Sequence, residues 1–423
     1  MTLRSTLSTY WSKIQGELFP FLDACIGPLT DRHQEVVTVL EMVRLEAFLP
    51  YWHGLPGRPP AERVALARAF VAKAVLHLPT TRALIERLQA DKILRRLCGY
   101  QRARSVPSEA TFSRAFCEFA TSALPTRVHE ALIKKTHSNQ LVGHISRDST
   151  AIEVPEKPAK TLNVAAPEEK SLPASSYQPK LPFQAITTST PKEQPTPAPS
   201  NKSEQTPATA APPTKRKRGR PNKGEEVQKE PRRLEYQSGM SLEEMLADLP
   251  KDCDVGTKKN AKGYKVSWTG YKFHLDIADG CIPISSILTS ASMHDSQVAI
   301  PLATMTAARV TSLYDLMDAA YDADEIKAHS RSLGHVPIID INPRSKERKE
   351  EFALEEKRLK LVGHRLAEDV RYNERSNAER ANSRIKEDFG GRTVRVRGNA
   401  KVMCHLMFGI LALTVDQLLR FVT

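Results

Sequence analysis

The chain has 423 residues, enough for two or three domains, and 40% of them are hydrophobic, so a sizeable core is available. Its net charge of +13 and pI of about 9.4 favour a polyanionic partner, either nucleic acid or an anionic membrane. The six cysteines include no Cys-x-x-Cys pair, which argues against a zinc site and for a reduced, intracellular protein, and the first fifteen residues carry no apolar signal core.

Residues 1–140 read as an all-α N-terminal domain. Arg63 to Leu78 is rich in Ala, Leu and Val at helical spacing, Thr81 to Gln89 and Asp91 to Leu97 form two further runs, and Gly99 is a stop signal. Ser108 follows Pro107 as an N-cap candidate. The helix it starts turns Phe112, Phe116 and Phe119 inward and leaves Ser113 and Arg114 free. Short helices, a turn and a capped helix are compatible with a helix-turn-helix DNA reader, although the pattern alone favours an ordinary helical bundle.

At Gly143 the pattern changes. Ile145 and Ile152 flank a strand that carries Asp148, so residues 141–154 are expected to be the first strand of a second domain. Residues 155–256 then read as a proline-rich disordered insertion, since residues 155–231 alone hold 15 of the 29 prolines. Inside it, six of the nine residues from Lys215 to Lys223 are cationic. The bland reading is a solvated charge run. The core Arg218-Gly219-Arg220-Pro221 resembles an AT-hook, in which an extended Arg-Gly-Arg lies in the narrow minor groove of A·T-rich DNA.

Folded character returns over residues 257–423. Tyr264 to Trp268 and Gly270 to Ile277 are rich in β-formers, Asp279-Gly280 is a hairpin signal, and Ile282 to Thr289 is the returning strand. Asp295 to Gln297 offer N-caps for a helix through Ala308. A strand follows from Val310 to Asp318, then a helix from Asp322 to Gly334 with a capping-box-like start, then a strand at Val336 to Ile341. Two helical runs follow, Lys346 to Leu361 and Tyr372 to Lys386. The apolar core Leu406 to Val415 is too short and too polar at its flanks for a membrane span, so a buried helix is expected and nucleic acid becomes the leading partner.

Three antiparallel strands followed by β-α-β crossovers is the order of a ribonuclease-H-like α/β fold, a mixed sheet with flanking helices. Its carboxylates sit on the first strand, just after the fourth strand and on a late helix. Asp148, Asp318 and Glu379 occupy those places. A carboxylate cluster without a cation raises its own pKa values, and a pair of Mg²⁺ or Mn²⁺ ions removes that cost. Two such ions support in-line phosphoryl transfer without a histidine base. Each acid has an alternative: Asp148 as a turn former, Asp318 in competition with Asp315, Asp322 and Asp324, and Glu379 as a surface ion-pair member. Asp322 is better explained as a helix cap, and Asp315 points to the other strand face. Asp340, in an apolar strand, reads as a satisfied core acid.

Tyr372, Arg375, Glu379 and Lys386 are spaced by three, four and seven residues, which on one continuous helix places them within roughly a 60° wedge. That face suits a divalent metal and a phosphate backbone; it also suits a solvated face with an Arg375–Glu379 pair. This spacing, Tyr-x2-Arg-x3-Glu-x6-Lys, resembles the signature of a subgroup of the DDE-type bacterial insertion-sequence transposases. Arg147-Asp148-Ser149-Thr150, Met317-Asp318-Ala319-Ala320-Tyr321, the strand Gly270-Tyr271-Lys272 and the run from Val106 to Arg114 are similar to members of the same family. Two features depart from it: the long insertion after Asp148, and Ala319-Ala320 where a glycine is common.

The resemblance implies that Asp148, Asp318 and Glu379 bind two divalent ions and catalyse cleavage and strand transfer at element ends. It implies that Arg375 and Lys386 hold phosphates beside Tyr372, and that the helical N-terminus reads terminal inverted repeats. The partners it implies are double-stranded DNA, at element ends and at the target, and a second copy of the chain in a homodimeric synaptic complex. The place it implies is the bacterial cytoplasm, at the nucleoid. The alternatives are a catalytically inactive DNA-binding protein on the same scaffold and a nuclease that cuts without joining.

Overall fold

The computed structural model describes residues 2–50, 61–137, 140–159, 232–259, 262–341, 343 and 345–422. Met1–Lys160 and Pro231–Thr423 form one compact unit. The helical portion comprises α1 (Leu3–Lys13), α2 (Phe19–Ile26), α3 (Asp31–Val43), α4 (Arg63–Val75), α5 (Thr81–Ala90), α6 (Lys92–Leu97), α7 (Glu109–Thr121) and α8 (Leu124–His137). Phe112, Phe116 and Phe119 are buried along α7, as the helical spacing predicts. Phe70 of α4 packs against all three, with ring centroids 5.7, 5.0 and 6.2 Å away.

The sheet portion opens with β1 (Leu141–Glu153), then α9 (Arg233–Gln237), α10 (Leu242–Asp248), β2 (Asp254–Lys259), β3 (Lys265–Ala278), β4 (Ile282–Ser290), α11 (Ser296–Ala307), β5 (Thr311–Met317), α12 (Asp324–Ser332) and β6 (Val336–Ile339). It closes with α13 (Lys346–Val362), α14 (Ala367–Tyr372), α15 (Ser376–Glu387) and α16 (Asn399–Leu419). β3 lies between β4 and β1 over Tyr271–Ala278, antiparallel to both. β1, β5 and β6 then run parallel. β2 pairs with the N-terminal half of β3. The protein is therefore mixed α/β, with a six-stranded mixed sheet beside a helical N-terminal portion.

Three expectations change. The proline-rich insertion does not extend to residue 256: α9, α10 and β2 lie within residues 232–259. Ser241 explains part of this, since it caps α10 in a reciprocal capping box with Glu244. Lys265–Trp268 and Gly270–Ile277 form the single strand β3, as the strand order requires. Gly270 sits within it at φ +150°, and a Cβ there would stand 2.1 Å from the Ile152 carbonyl oxygen. Asp322 is not the cap of α12. The helix begins at Asp324, and Asp322 pairs with Lys327 at 2.5 Å. Finally, the helical portion does not keep a core of its own. α3, α4, α7 and α8 pack on α16, and Phe70 stacks on Phe408 at 5.7 Å.

α16 is long and apolar enough to cross a membrane by length and composition, yet 78% of its most apolar window is buried inside the protein. It is the central helix of the shared core, as the polar flanks of the apolar run suggest.

Candidate active site

The parallel pairing of β1 with β5 decides where the acids meet. Ser146 stands opposite Leu316, so Asp148 and Asp318, each two residues further on, come level, Asp148 within β1 and Asp318 one residue past the end of β5. Neighbouring strands lie about 4.8 Å apart, which puts the two backbones side by side. Alternation sends Arg147 to the opposite face. There its guanidinium clamps Asp276 through Nε and Nη2 at 2.8 and 2.7 Å, and Thr306 donates to the same carboxylate at 2.6 Å. Asp315 is buried on that far face too, accepting from Ser330 at 2.5 Å, with His335 at 3.2 Å. The far face is thus locked, and Asp148 is directed toward α15.

Burial pushes the Asp148 carboxyl up to about 6; the Ser149 N–H works against this and the Asp318 charge adds to it. Asp318 is also raised, first by burial, with Asp295 and Asp340 contributing and the Ala320 N–H and Arg375 opposing. Asp318 accepts that N–H at 2.9 Å, which fixes its direction at the start of a 3-10 turn. Two carboxylates raised by burial and by neighbouring carboxylates are poised to take up a cation.

The helix over them is not the continuous element that the wedge assumed. α14 ends at Tyr372, Asn373–Arg375 form a 3-10 turn, and α15 begins at Ser376. Ser146 of β1 donates to the Glu374 carbonyl at 3.0 Å, which occupies a backbone acceptor at the junction. Along α15, Asn382 reaches Asp148, its Nδ2 donating to the carboxylate at 3.0 Å. The Asn382 Oδ1 is buried and has no hydrogen-bond partner. Glu379 lies one turn earlier on the same face, but its side chain is 56% exposed and accepts from Arg375 Nη2 at 2.5 Å. Asp148 and Asp318 are therefore brought together and Glu379 is turned outward. Among the described residues no three acid, His or Cys side chains converge closely enough to hold a metal.

Two families match the chain. One, described as Transposase DDE domain, matches residues 247–415, and the other, described as Transposase domain (DUF772), matches residues 25–117. The chain belongs to the DDE transposases. A search of curated proteins and one of solved structures each returned no match. Asp318 and Glu379 fall inside the DDE span, whereas Asp148 precedes it, and α3 through α6 with the first two-thirds of α7 fall inside the other.

The cations of the transposase surround the acid pair. Arg375 is half-buried, its guanidinium 5.6 Å from the Tyr372 ring, and it acts on both Asp148 and Asp318. Lys386 lies seven residues beyond Glu379; burial lowers its pKa, as do Lys258 and Arg392, while Glu153 and Asp148 pull it up. Arg218, Gly219, Arg220 and Pro221 lie outside the described residues.

Three further residues belong to this neighbourhood. Asp295 heads α11, yet its side chain does not cap the helix; it accepts from Ser149 at 2.7 Å and pairs with Lys272 at 3.2 Å. Burial works to raise its pKa, but His274, Lys272 and Ser149 overcome this and hold it below the usual range. Asp340 is not a core acid of a strand: it follows the end of β6 and acts on Asp318 and Tyr372. Asn382 could have been found from its place three residues after Glu379. Asp295 carried no signal beyond that of an ordinary N-cap.

The donor set suits a hard divalent cation. It offers two raised carboxylates, an orphaned amide oxygen beside them and a third carboxylate within one helical turn.

Proposed function

We propose that the chain cleaves insertion-sequence ends and joins them to target DNA by divalent-metal-dependent phosphoryl transfer, on a ribonuclease-H-like core. We place it in the subgroup marked by Tyr372, Arg375, Glu379 and Lys386. The observation that carries this reading is the level placement of Asp148 and Asp318 on adjacent parallel strands, both with raised pKa values, beneath a helix bearing Asn382 and Glu379. Asp148, Asp318 and Glu379 would hold two Mg²⁺ or Mn²⁺ ions, with the Asn382 oxygen beside them. Bound divalent ions supply charge stabilisation for the attacking and leaving oxygens of an in-line displacement. Arg375 and Lys386 orient the phosphates flanking the cleaved bond, and Tyr372 holds the Arg375 guanidinium in place. The helical portion around α7 binds the terminal inverted repeats, the tract at Arg218–Pro221 adds minor-groove contact, and two copies pair to bring two ends together.

The test is a cleavage and joining assay on duplexes carrying the element's own ends, with Mg²⁺ or Mn²⁺ added. Both cutting and joining are expected, and both are lost in E379A while end binding persists. Cleavage by E379A at the wild-type rate would falsify the assignment. Cutting without joining would move the chain to the nuclease class.

A further inference from the structure

A cleft of about 740 Å³ opens between the end of α4, the starts of α5 and α7, and the segment that follows α15. Its walls are rich in charge, and the charges do not cancel. The carboxylates lining it are committed: Glu387 to Arg392 at 2.5 Å, Asp388 to Arg384 at 3.3 Å and Glu109 to Arg82 at 3.7 Å. Three cations lining it, Lys73, Lys386 and Arg395, have no ion-pair or hydrogen-bond partner for their side chains among the described residues. Lys73 is the most telling. It projects from α4 into a largely buried position, and burial alone draws its pKa down to about 8. An unpaired ammonium in such a place is costly to the fold and is explained by a ligand that meets it.

The same wall carries a second sign of a working site. His77, just past α4, adopts φ +52°, a left-handed conformation unusual for a residue with a side chain. Its ring meets Phe389 edge-on at 5.6 Å, and its Nδ1 contacts the Asp388 carbonyl. Backbone strain held in this way clusters at binding sites.

Lys386 belongs both to this cleft and to the acid pair, since Asp148 acts on it electrostatically. The cleft therefore opens beside the site where the phosphodiester bond is cut. Its volume is that of a pocket for a small molecule, about 300–1,000 Å³, which accommodates a few nucleotides and not a duplex. A basic groove of this size suits a single strand, whose phosphates follow the cations.

We propose that this cleft binds an unpaired stretch of one DNA strand leading into the acid pair, with its phosphates on Lys73, Lys386 and Arg395. The proposal rests on the transposase reading of that pair and names a strand path that the reading lacked.

The test uses the full chain and fluorescence anisotropy of a labelled oligothymidylate, with a duplex of equal length in parallel, across a salt series without divalent metal. At about 0.7 per phosphate contact on a single strand, the double variant K73M/R395Q should lower the slope of log affinity against log salt by about 1.4, with a smaller effect on the duplex. R395K should retain the wild-type slope, and K73M should melt no lower than wild type, which excludes unfolding as the cause. An unchanged slope, or an equal loss on duplex and single strand, overturns the cleft assignment. Cleavage of element ends by the wild type is measured alongside. If it is present while the slopes do not move, only the strand path falls; if it is absent, the transposase reading of the acid pair falls and takes the path's link to it.

Discussion

Replacing Asp148 by asparagine should stabilise the protein at neutral pH while abolishing cleavage. Burial and the Asp318 charge hold the Asp148 carboxyl at about 6, against an ordinary value of 3.8. At about 1.4 kcal/mol per pH unit, keeping it ionised above pH 6 costs the fold about 3 kcal/mol as an upper bound, and water reaching the site brings this to about 1–2 kcal/mol. The sign follows from proton uptake. Between the two values the folded state holds the proton more tightly than the unfolded chain, so the wild type gains stability as pH falls through 6 and the penalty disappears below about 4. The asparagine side chain cannot ionise, and its amide oxygen can still accept from Asn382. D148N should therefore melt a few degrees higher than wild type at about pH 7.5, and the two should converge at about pH 4. Thermal unfolding at both values measures this. Mg²⁺ or Mn²⁺ should raise the wild-type melting temperature and leave that of D148N nearly unmoved. Equal stability at every pH, or a gap that widens on acidification, would refute the reasoning.

E379A should change stability by less than about 1 kcal/mol, because its ion pair with Arg375 is largely exposed; urea unfolding checks this beside the cleavage assay. N382A removes the bond that favours ionised Asp148, so the acid limb of the cleavage–pH profile should move to higher pH, and a limb shifted down would contradict the contact. R375A should lose cleavage yet keep Mn²⁺ binding by calorimetry, since Arg375 supplies no oxygen to the cation; loss of Mn²⁺ binding would make it a structural residue. Removing Arg218 and Arg220 together should lower the salt slope of duplex binding by about 1.8, at about 0.9 per phosphate, and an unchanged affinity at every salt would remove that tract from DNA contact.

What could be read from the residues depended on how local the signal was. β1, β4 and β5 announce themselves by apolar alternation, so Asp148 and Asp318 could be placed by chain order alone, and the parallel register brings them level. Phe112, Phe116 and Phe119 repeat at helical spacing and are buried together. The misses come from contacts between distant segments. Nothing local tells that Ser146, over two hundred residues away, occupies the Glu374 carbonyl where the helix breaks. Asp295 has the sequence look of a cap, and only the fold turns its carboxylate to Ser149 and Lys272. Proline density does not mark where described structure resumes, because α9 and α10 are short and polar, and are held by packing on α11.

The outward position of Glu379 follows from the same electrostatics as the raised pKa of Asp148. A third carboxylate turned in beside two that already disfavour ionisation would raise all of them further. The chain's own cations are the counter-charge in this arrangement. Arg375 bonds Glu379 and acts on both aspartates, and Lys386 acts on Asp148 from two turns further along α15. On the proposed reading these are the groups that meet phosphate in the working complex, so one set of side chains serves two charges in turn. On that reading Asp148 and Asp318 would hold a divalent cation in place of the Arg375 charge, and Glu379 would gain more by turning toward them than by keeping an exposed ion pair worth about 1 kcal/mol or less. Arg375 would then be free for the DNA, so metal binding and phosphate binding would favour the same rearrangement at the 3-10 turn between α14 and α15. The break that defeats the single-helix reading of Tyr372–Lys386 is thus where the signature has room to change partners.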